Sequence, residues 1–173
     1  MDGKRKVIFV CSRNAARSQM AEGFLRALCG DHYEAASAGL DAFRVSRTAT
    51  RVMAEAGIDI SAHRSKSVAG LGGREFDLVV TLSDEAARVP RDRLPGGVRY
   101  LHHPFPDPAA ASGGGEEVLA AYRDIRDRIG AWIGEEFGPA GTGVGDRQAP
   151  GPESTPSTPD SPKDVKGETL KTK

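Results

Sequence analysis

One stretch near the amino end limits what this chain can become. Val7-Ile8-Phe9-Val10 is an unbroken β-branched and aromatic run, and it breaks directly into the polar turn Cys11-Ser12-Arg13-Asn14-Ala15-Ala16-Arg17-Ser18. Such a run reads as a strand covered on both faces, here spanning Lys6–Cys11. From Arg17 to about Leu28 the apolar residues Met20, Ala21, Phe24, Leu25 and Leu28 recur at helical spacing. A buried strand that passes at once into a helix needs parallel neighbours, which a chain reaches only by crossover connections.

The rest of the chain supplies them. Tyr33–Ala38 reads as a short strand closed by Gly39, and a helix follows from about Ser46 to Glu55, with Ser46 as N-cap and Gly57 beyond its end. Phe76–Leu82 is the cleanest central strand. Ser83 and Asp84 open a short helical segment before Pro90. Val98–His102 reads as a fourth strand, followed by the rigid loop Pro104-Phe105-Pro106-Asp107-Pro108. The last helix runs from about Glu116 to Phe137 on a stripe of Val118, Leu119, Tyr122, Ile125, Ile129, Trp132 and Ile133. Strands alternating with helices, without a hairpin signal, predict an α/β domain over residues 1–137 with helices on both faces of a parallel sheet. Its site belongs at the carboxyl ends of the strands, which brings the Cys11 turn and the Asp107 loop to one edge.

Residues 138–173 differ in composition. They hold six of the eleven prolines, no aromatic residue, and only Val144, Val165 and Leu170 as larger aliphatics. Such a segment buries too little to offset its ordering entropy, so a disordered, solubilising tail is expected. The 24 basic and 24 acidic residues cancel, which gives no electrostatic case for general nucleic-acid or membrane binding. The basic start is followed by too short an apolar run for a signal peptide, and two cysteines make no disulfide framework. A cytoplasmic protein is expected.

The chemistry concentrates in the turn. Backbone N–H groups there can converge on a tetrahedral oxyanion, with the positive end of the following helix behind them. Arg17 offers a planar fork for two oxygens, and a cation at a helix start is better explained by an anion than by chance. The same field favours a thiolate at Cys11. Cys11 as a core residue, Asp107 as a turn former before Pro108 and Arg13 as a solvated loop residue are the plainer readings.

These residues carry a family resemblance. The chain resembles the low-molecular-weight protein tyrosine phosphatases and the arsenate reductases of the same flavodoxin-like, four-stranded parallel fold. The resemblance rests on Cys11-x5-Arg17-Ser18, Ser37-Ala38-Gly39, Gly57-Ile58-Asp59-Ile60-Ser61 leading to His63-Arg64, the Phe76-Asp77 strand start, and Asp107-Pro108. It implies Cys11 as nucleophile, Arg17 as the oxyanion clamp and Asp107 as general acid. The loop Ser12, Arg13, Asn14, Ala15, Ala16 and Ser18 would bind substrate, with Asn14, Ser18, Ser37 and His63 bracing that loop.

Two features separate the branches. Arsenate reductases of this fold usually carry two further cysteines, one just after the third strand and one a turn later; the corresponding residues here are Ser83 and Val89. Yet Ser18-Gln19-Met20-Ala21-Glu22-Gly23-Phe24 resembles the reductase branch, and Ala109-Ala110-Ala111 stands where phosphatases favour aromatic residues. Some of these reductases bind a monovalent cation. Here His63-Arg64-Ser65-Lys66 implies that the Lys66 ammonium replaces it near Asn14, Glu22 and Ser37.

The expected activity is therefore a cysteine-dependent phosphatase acting on a phosphorylated protein or small aryl phosphate, without a cofactor. The alternative is arsenate reduction with an external thiol or redoxin as reductant. A non-catalytic phosphate-binding module is the third possibility. Cys29 lies about twelve residues past Arg17, roughly 18 Å along one helix, too far for a disulfide with Cys11. Neighbouring strand residues His102 and His103 point to opposite faces, so no metal is expected there. Gly70-x-Gly72-Gly73 precedes a strand, unlike a nucleotide loop, and reads as a flexible turn.

Overall fold

The computed structural model describes residues 3–139. The predicted tail lies, from residue 140 onward, outside the described residues. Four strands, β1 (Arg5–Cys11), β2 (Tyr33–Gly39), β3 (Glu75–Thr81) and β4 (Gly96–His102), form one parallel sheet in the order β2-β1-β3-β4. The helices are α1 (Arg17–Cys29), α2 (Arg47–Glu55), α3 (Asp84–Ala87) and α4 (Gly115–Phe137). This is the α/β architecture expected from the alternating pattern.

The pleat of β1 sorts its side chains. Val7, Phe9 and Cys11, with Leu78 and Val80 of β3, join the larger apolar cluster with residues of α1, α2 and α4. Ile8, Val10 and Val79 belong to the other face, with Leu71 of the 3₁₀ turn Val68–Leu71 and Ala86 of α3. Burial of a large side chain such as Phe9 contributes about 1.5–3 kcal/mol. Both faces are covered, but unequally: long helices on one side, a four-residue helix and short turns on the other. The fourth strand starts two residues earlier than the sequence suggests, because Gly96 and Gly97 pair in register with Glu75 and Phe76.

Strand β1 ends level with both neighbours, Val10 paired to Thr81 of β3 and Cys11 to Gly39 of β2. Leu82 N–H donates to the Val10 carbonyl at 2.8 Å, and Phe105 N–H to the Leu82 carbonyl at 3.1 Å. The Asp107 loop is thus tied to the carboxyl end of β1. Among the described residues, no helix is long and apolar enough to cross a membrane.

Candidate active site

The turn after β1 is turned inside out by its neighbours. The carbonyls of Cys11, Ser12 and Ala15 accept from the N–H groups of Leu40, Asp41 and Ser46 at 3.0, 3.0 and 2.8 Å. The Arg13 carbonyl accepts from Ser65 Oγ at 3.3 Å, and the Asn14 carbonyl from Gln19 Nε2 at 3.2 Å. Every carbonyl from Cys11 to Ala15 is therefore drawn outward. Helix α1 starts after Ala16, which has no side chain able to cap its first turn. Outward carbonyls and an uncapped helix start leave the loop amides to face an anion.

Asn14 holds this shape. It is the one non-glycine described residue in the left-handed region, at φ 49°, a conformation asparagine tolerates better than most. Its side-chain amide is fully used. Nδ2 donates to Ser18 Oγ at 2.8 Å and Ser37 Oγ at 2.9 Å, while Oδ1 accepts from Gln19 Nε2 and Lys66 N, both at 2.8 Å. Gly39 makes the close approach possible, because a Cβ there would lie 2.6 Å from Asn14 N and 2.7 Å from the Arg13 carbonyl carbon. Among the described residues, no buried side-chain polar atom lacks a partner.

Cys11 Sγ lies 2.9 Å from Ser18 Oγ. Since Ser18 accepts from Asn14, its own O–H is free to donate to sulfur, which stabilises negative charge there. Arg17 is buried at the start of α1, and its Nη1 donates to the Phe105 carbonyl at 3.0 Å. Its Nη2 lies 3.7 Å from Asp107 Oδ2. Asp107 combines both sequence readings: Oδ1 accepts from Ala109 N at 3.0 Å and caps the 3₁₀ turn Pro108–Ala110, while Oδ2 faces Arg17. Cys11, Arg17 and Asp107 line one cleft of about 380 Å³, room for an oxyanion with an attached ring.

His63 braces the loop at one remove. Its Nδ1 is 3.0 Å from Gln19 Oε1 and its Nε2 3.1 Å from Arg26 Nη1. An amide oxygen requires Nδ1–H as donor and a guanidinium requires Nε2 as acceptor, so the ring is neutral. Burial also pushes its pKa below the usual histidine value, with nearby Arg26 and Lys66 adding to the effect against Glu22.

Glu22 is buried and accepts from Ser37 Oγ and, at 2.6 Å, from Arg26 Nη2. Lys66 Nζ lies 3.9 Å from Glu22 Oε2 and donates to the Arg64 carbonyl at 2.9 Å. Two cations thus neutralise this carboxylate, Lys66 on the side expected from the sequence. Turnover is accordingly expected to differ by less than about twofold between potassium and a bulky organic cation at equal ionic strength. Initial rates in the two buffers check this, and a large potassium activation contradicts it.

The remaining sequence candidates fall apart in space. Cys29 ends α1 and is buried, which pushes its thiol pKa up. His102 Nδ1 lies 2.9 Å from Thr81 Oγ1, whereas the His103 ring stacks on Trp132 with 4.5 Å between centroids. Among the described residues no group of three or more His, Cys, Asp or Glu is placed to hold a metal ion. Ser83 caps α3 through Ala86 N and lies 3.2 Å from Ser12 Oγ. Phe43, Arg44, Ser46 and Arg47 also line the cleft; the sequence places Ser46 as an N-cap but gives none of the four a part in the site. Tyr122, read as part of the apolar stripe, is buried as expected yet reaches the cleft, with Ser46 Oγ donating to its hydroxyl at 3.3 Å.

An anion cradle that embraces a cysteine and an arginine defines a cysteine-based enzyme of oxyanion chemistry. The chain belongs to the family described as low molecular weight phosphotyrosine protein phosphatase, which it matches over residues 6–132. Its relatives include an arsenate reductase of Halalkalibacterium halodurans, 41% identical over 75% of this chain and 93% of that protein. One from Bacillus subtilis is 39% identical over 78% and 96%, respectively. Among solved structures, an arsenate reductase in the phosphate-binding state matches with TM-score 0.64 and 32% identity over 75% of this chain and 93% of that one. A low-molecular-weight protein tyrosine phosphatase from T. tengcongensis matches with TM-score 0.60 and 30% identity over 75% and 95%.

Proposed function

We propose that the chain hydrolyses phosphomonoesters through a cysteinyl-phosphate intermediate. One observation carries the reading: Arg17 and Asp107, ninety residues apart, meet in the Cys11 cleft, and no second cysteine lines it. The Cys11 thiolate attacks phosphorus, the ester P–O bond breaks, and Asp107 gives its proton to the departing oxygen. Arg17 and the loop amides hold the three equatorial oxygens as charge builds on them. A bound oxyanion draws the guanidinium away from Asp107 and leaves that side chain free for proton transfer. Water then attacks phosphorus, Asp107 takes its proton, and cleavage of the S–P bond returns the thiolate. This chemistry needs a free thiol, which suits a reducing compartment such as the cytoplasm.

A second reading, arsenate reduction, is favoured by the names of the curated relatives. The Cys11 thiolate would attack arsenic and displace hydroxide or water. The two electrons that convert As(V) to As(III) must then come from sulfur. The chain has only Cys11 and Cys29, with Ser83 and Val89 at the positions of the internal relay, so two external thiols would be oxidised to a disulfide. One experiment separates the readings. The purified protein is given 4-nitrophenyl phosphate and, separately, arsenate with small thiols or a redoxin. Hydrolysis without arsenite formation is expected, and thiol-dependent arsenite formation with no hydrolysis replaces the first reading by the second. Inactivity in both assays leaves a phosphate-binding module.

A further inference from the structure

A buried guanidinium needs something to aim it. Arg17 has a long side chain with five N–H donors, of which a bidentate oxyanion contact uses two. Among the described residues its side chain has a single hydrogen-bond partner, the Phe105 carbonyl, which accepts from Nη1 at 3.0 Å. The 3.7 Å between Nη2 and Asp107 Oδ2 is longer than a hydrogen bond. The carbonyl is therefore the fixed point of this side chain. With Nη1 held there, the edge formed by Nε and Nη2 is left for two oxygens of an anion.

Phe105 is itself held from several sides. Its N–H donates to the Leu82 carbonyl at 3.1 Å, and the His103 N–H donates to the Thr81 carbonyl at 2.9 Å. Pro104 and Pro106 flank it, each with its own φ fixed, and each keeps the residue before it in the extended region. The ring is buried, 5.9 Å from the centre of Trp132 and 5.0 Å from that of His103. The residues that line the cleft do not include Phe105.

We infer that Phe105 is a positioning residue for the oxyanion clamp, its buried ring and flanking prolines fixing the carbonyl on which the Arg17 guanidinium pivots. It touches no substrate and acts through Arg17. The inference deepens the proposed function and rests on Arg17 as the clamp. Because Phe105 lies two residues before Asp107, the same anchor sets how far the general acid stands from that clamp.

The test reads the clamp without turnover. Cys11 is alkylated at low salt with anionic iodoacetate and with neutral iodoacetamide, in the unsubstituted, Phe105→Leu, Phe105→Ala and Arg17→Ala proteins. The ratio of the two rates measures the pull of Arg17 on a carboxylate. It is expected to fall about fivefold or more in Phe105→Ala, towards the Arg17→Ala value, by loss of the oriented fork. In Phe105→Leu, which keeps an apolar anchor without the ring, a fall of about twofold or more is expected. Iodoacetamide rates should stay within about twofold in both, because the Ser18 hydrogen bond to sulfur is untouched. The dissociation constant of inorganic phosphate, measured by calorimetry, should rise in the same order. These outcomes support the inference. Melting curves identify the folded proteins, and if the alanine protein does not fold, the leucine protein decides. An unchanged ratio in folded Phe105→Leu or in Arg17→Ala overturns the inference. So does an iodoacetamide rate that falls together with the iodoacetate rate, which marks general damage to the loop. Failure of the phosphatase reading looks different: the unsubstituted protein leaves 4-nitrophenyl phosphate intact, while the alkylation ratios keep their order.

Discussion

Replacing Cys11 by serine is expected to lower aryl phosphate turnover by about 10⁴-fold or more. The change is one atom, from sulfur to oxygen, at a position held by β1 pairing and the Ser18 hydrogen bond. A serine hydroxyl is almost wholly un-ionised at neutral pH, so the attacking anion is lost while the cradle remains. The loop carbonyls are tied by groups the substitution does not touch, so phosphate should still bind and the melting temperature should move little. Two measurements check this: the initial rate with 4-nitrophenyl phosphate, and acid-quench trapping of labelled phosphate on the protein. Substantial residual turnover, or a trapped phosphoryl group on another residue, sinks the scheme.

The second large effect concerns Asp107. Its conversion to asparagine is expected to reduce kcat by about 10²–10³-fold for esters with poor leaving groups, and much less for good ones. The two oxygens of this carboxylate have separate tasks, and the substitution distinguishes them. Asparagine still offers an oxygen to Ala109 N, so the cap and the loop should survive. It cannot deliver a proton to the departing oxygen. Because the carboxylate facing Arg17 is removed, inhibition by inorganic phosphate should stay equal or become tighter. A fall in kcat with KM flat or lower is therefore the signature. If Asp107 only shapes the turn, kcat/KM will remain within about twofold of the parent value.

The sequence displayed the fold where physics writes periodic patterns. The apolar run of β1 and the helical spacing of Met20, Phe24 and Leu25 specify their elements locally, and α1 and α2 start where the residues suggest. Gly96 and Gly97 have no side chains to signal a strand, and only pairing with Glu75 and Phe76 makes them part of β4. The same contrast divides the candidate site. Cys11, Arg17 and Asp107 stood out because a cation at a helix start and an acid at the sheet's carboxyl edge call for a reason. The side chains of Phe43, Arg44 and Arg47 became visible only once the β2–α2 connection and the start of α2 were folded over the loop. The grouping of Glu22 with Ser37 and Lys66 was legible only through the family resemblance, whereas its pairing with Arg26, one turn further along α1, was not read from the sequence.

The single tryptophan has a use that its place in the apolar stripe does not suggest. Trp132 lies against Phe105, with ring centres 5.9 Å apart, and Phe105 supplies the carbonyl that holds Arg17. On another side it stacks on His103, whose burial pushes the imidazole pKa down. The indole is thus a built-in optical gauge, packed on Phe105 two residues before Asp107 and free of any competing tryptophan signal. Its emission on addition of phosphate reports on the packing beneath the Asp107 loop, without a label and without turnover.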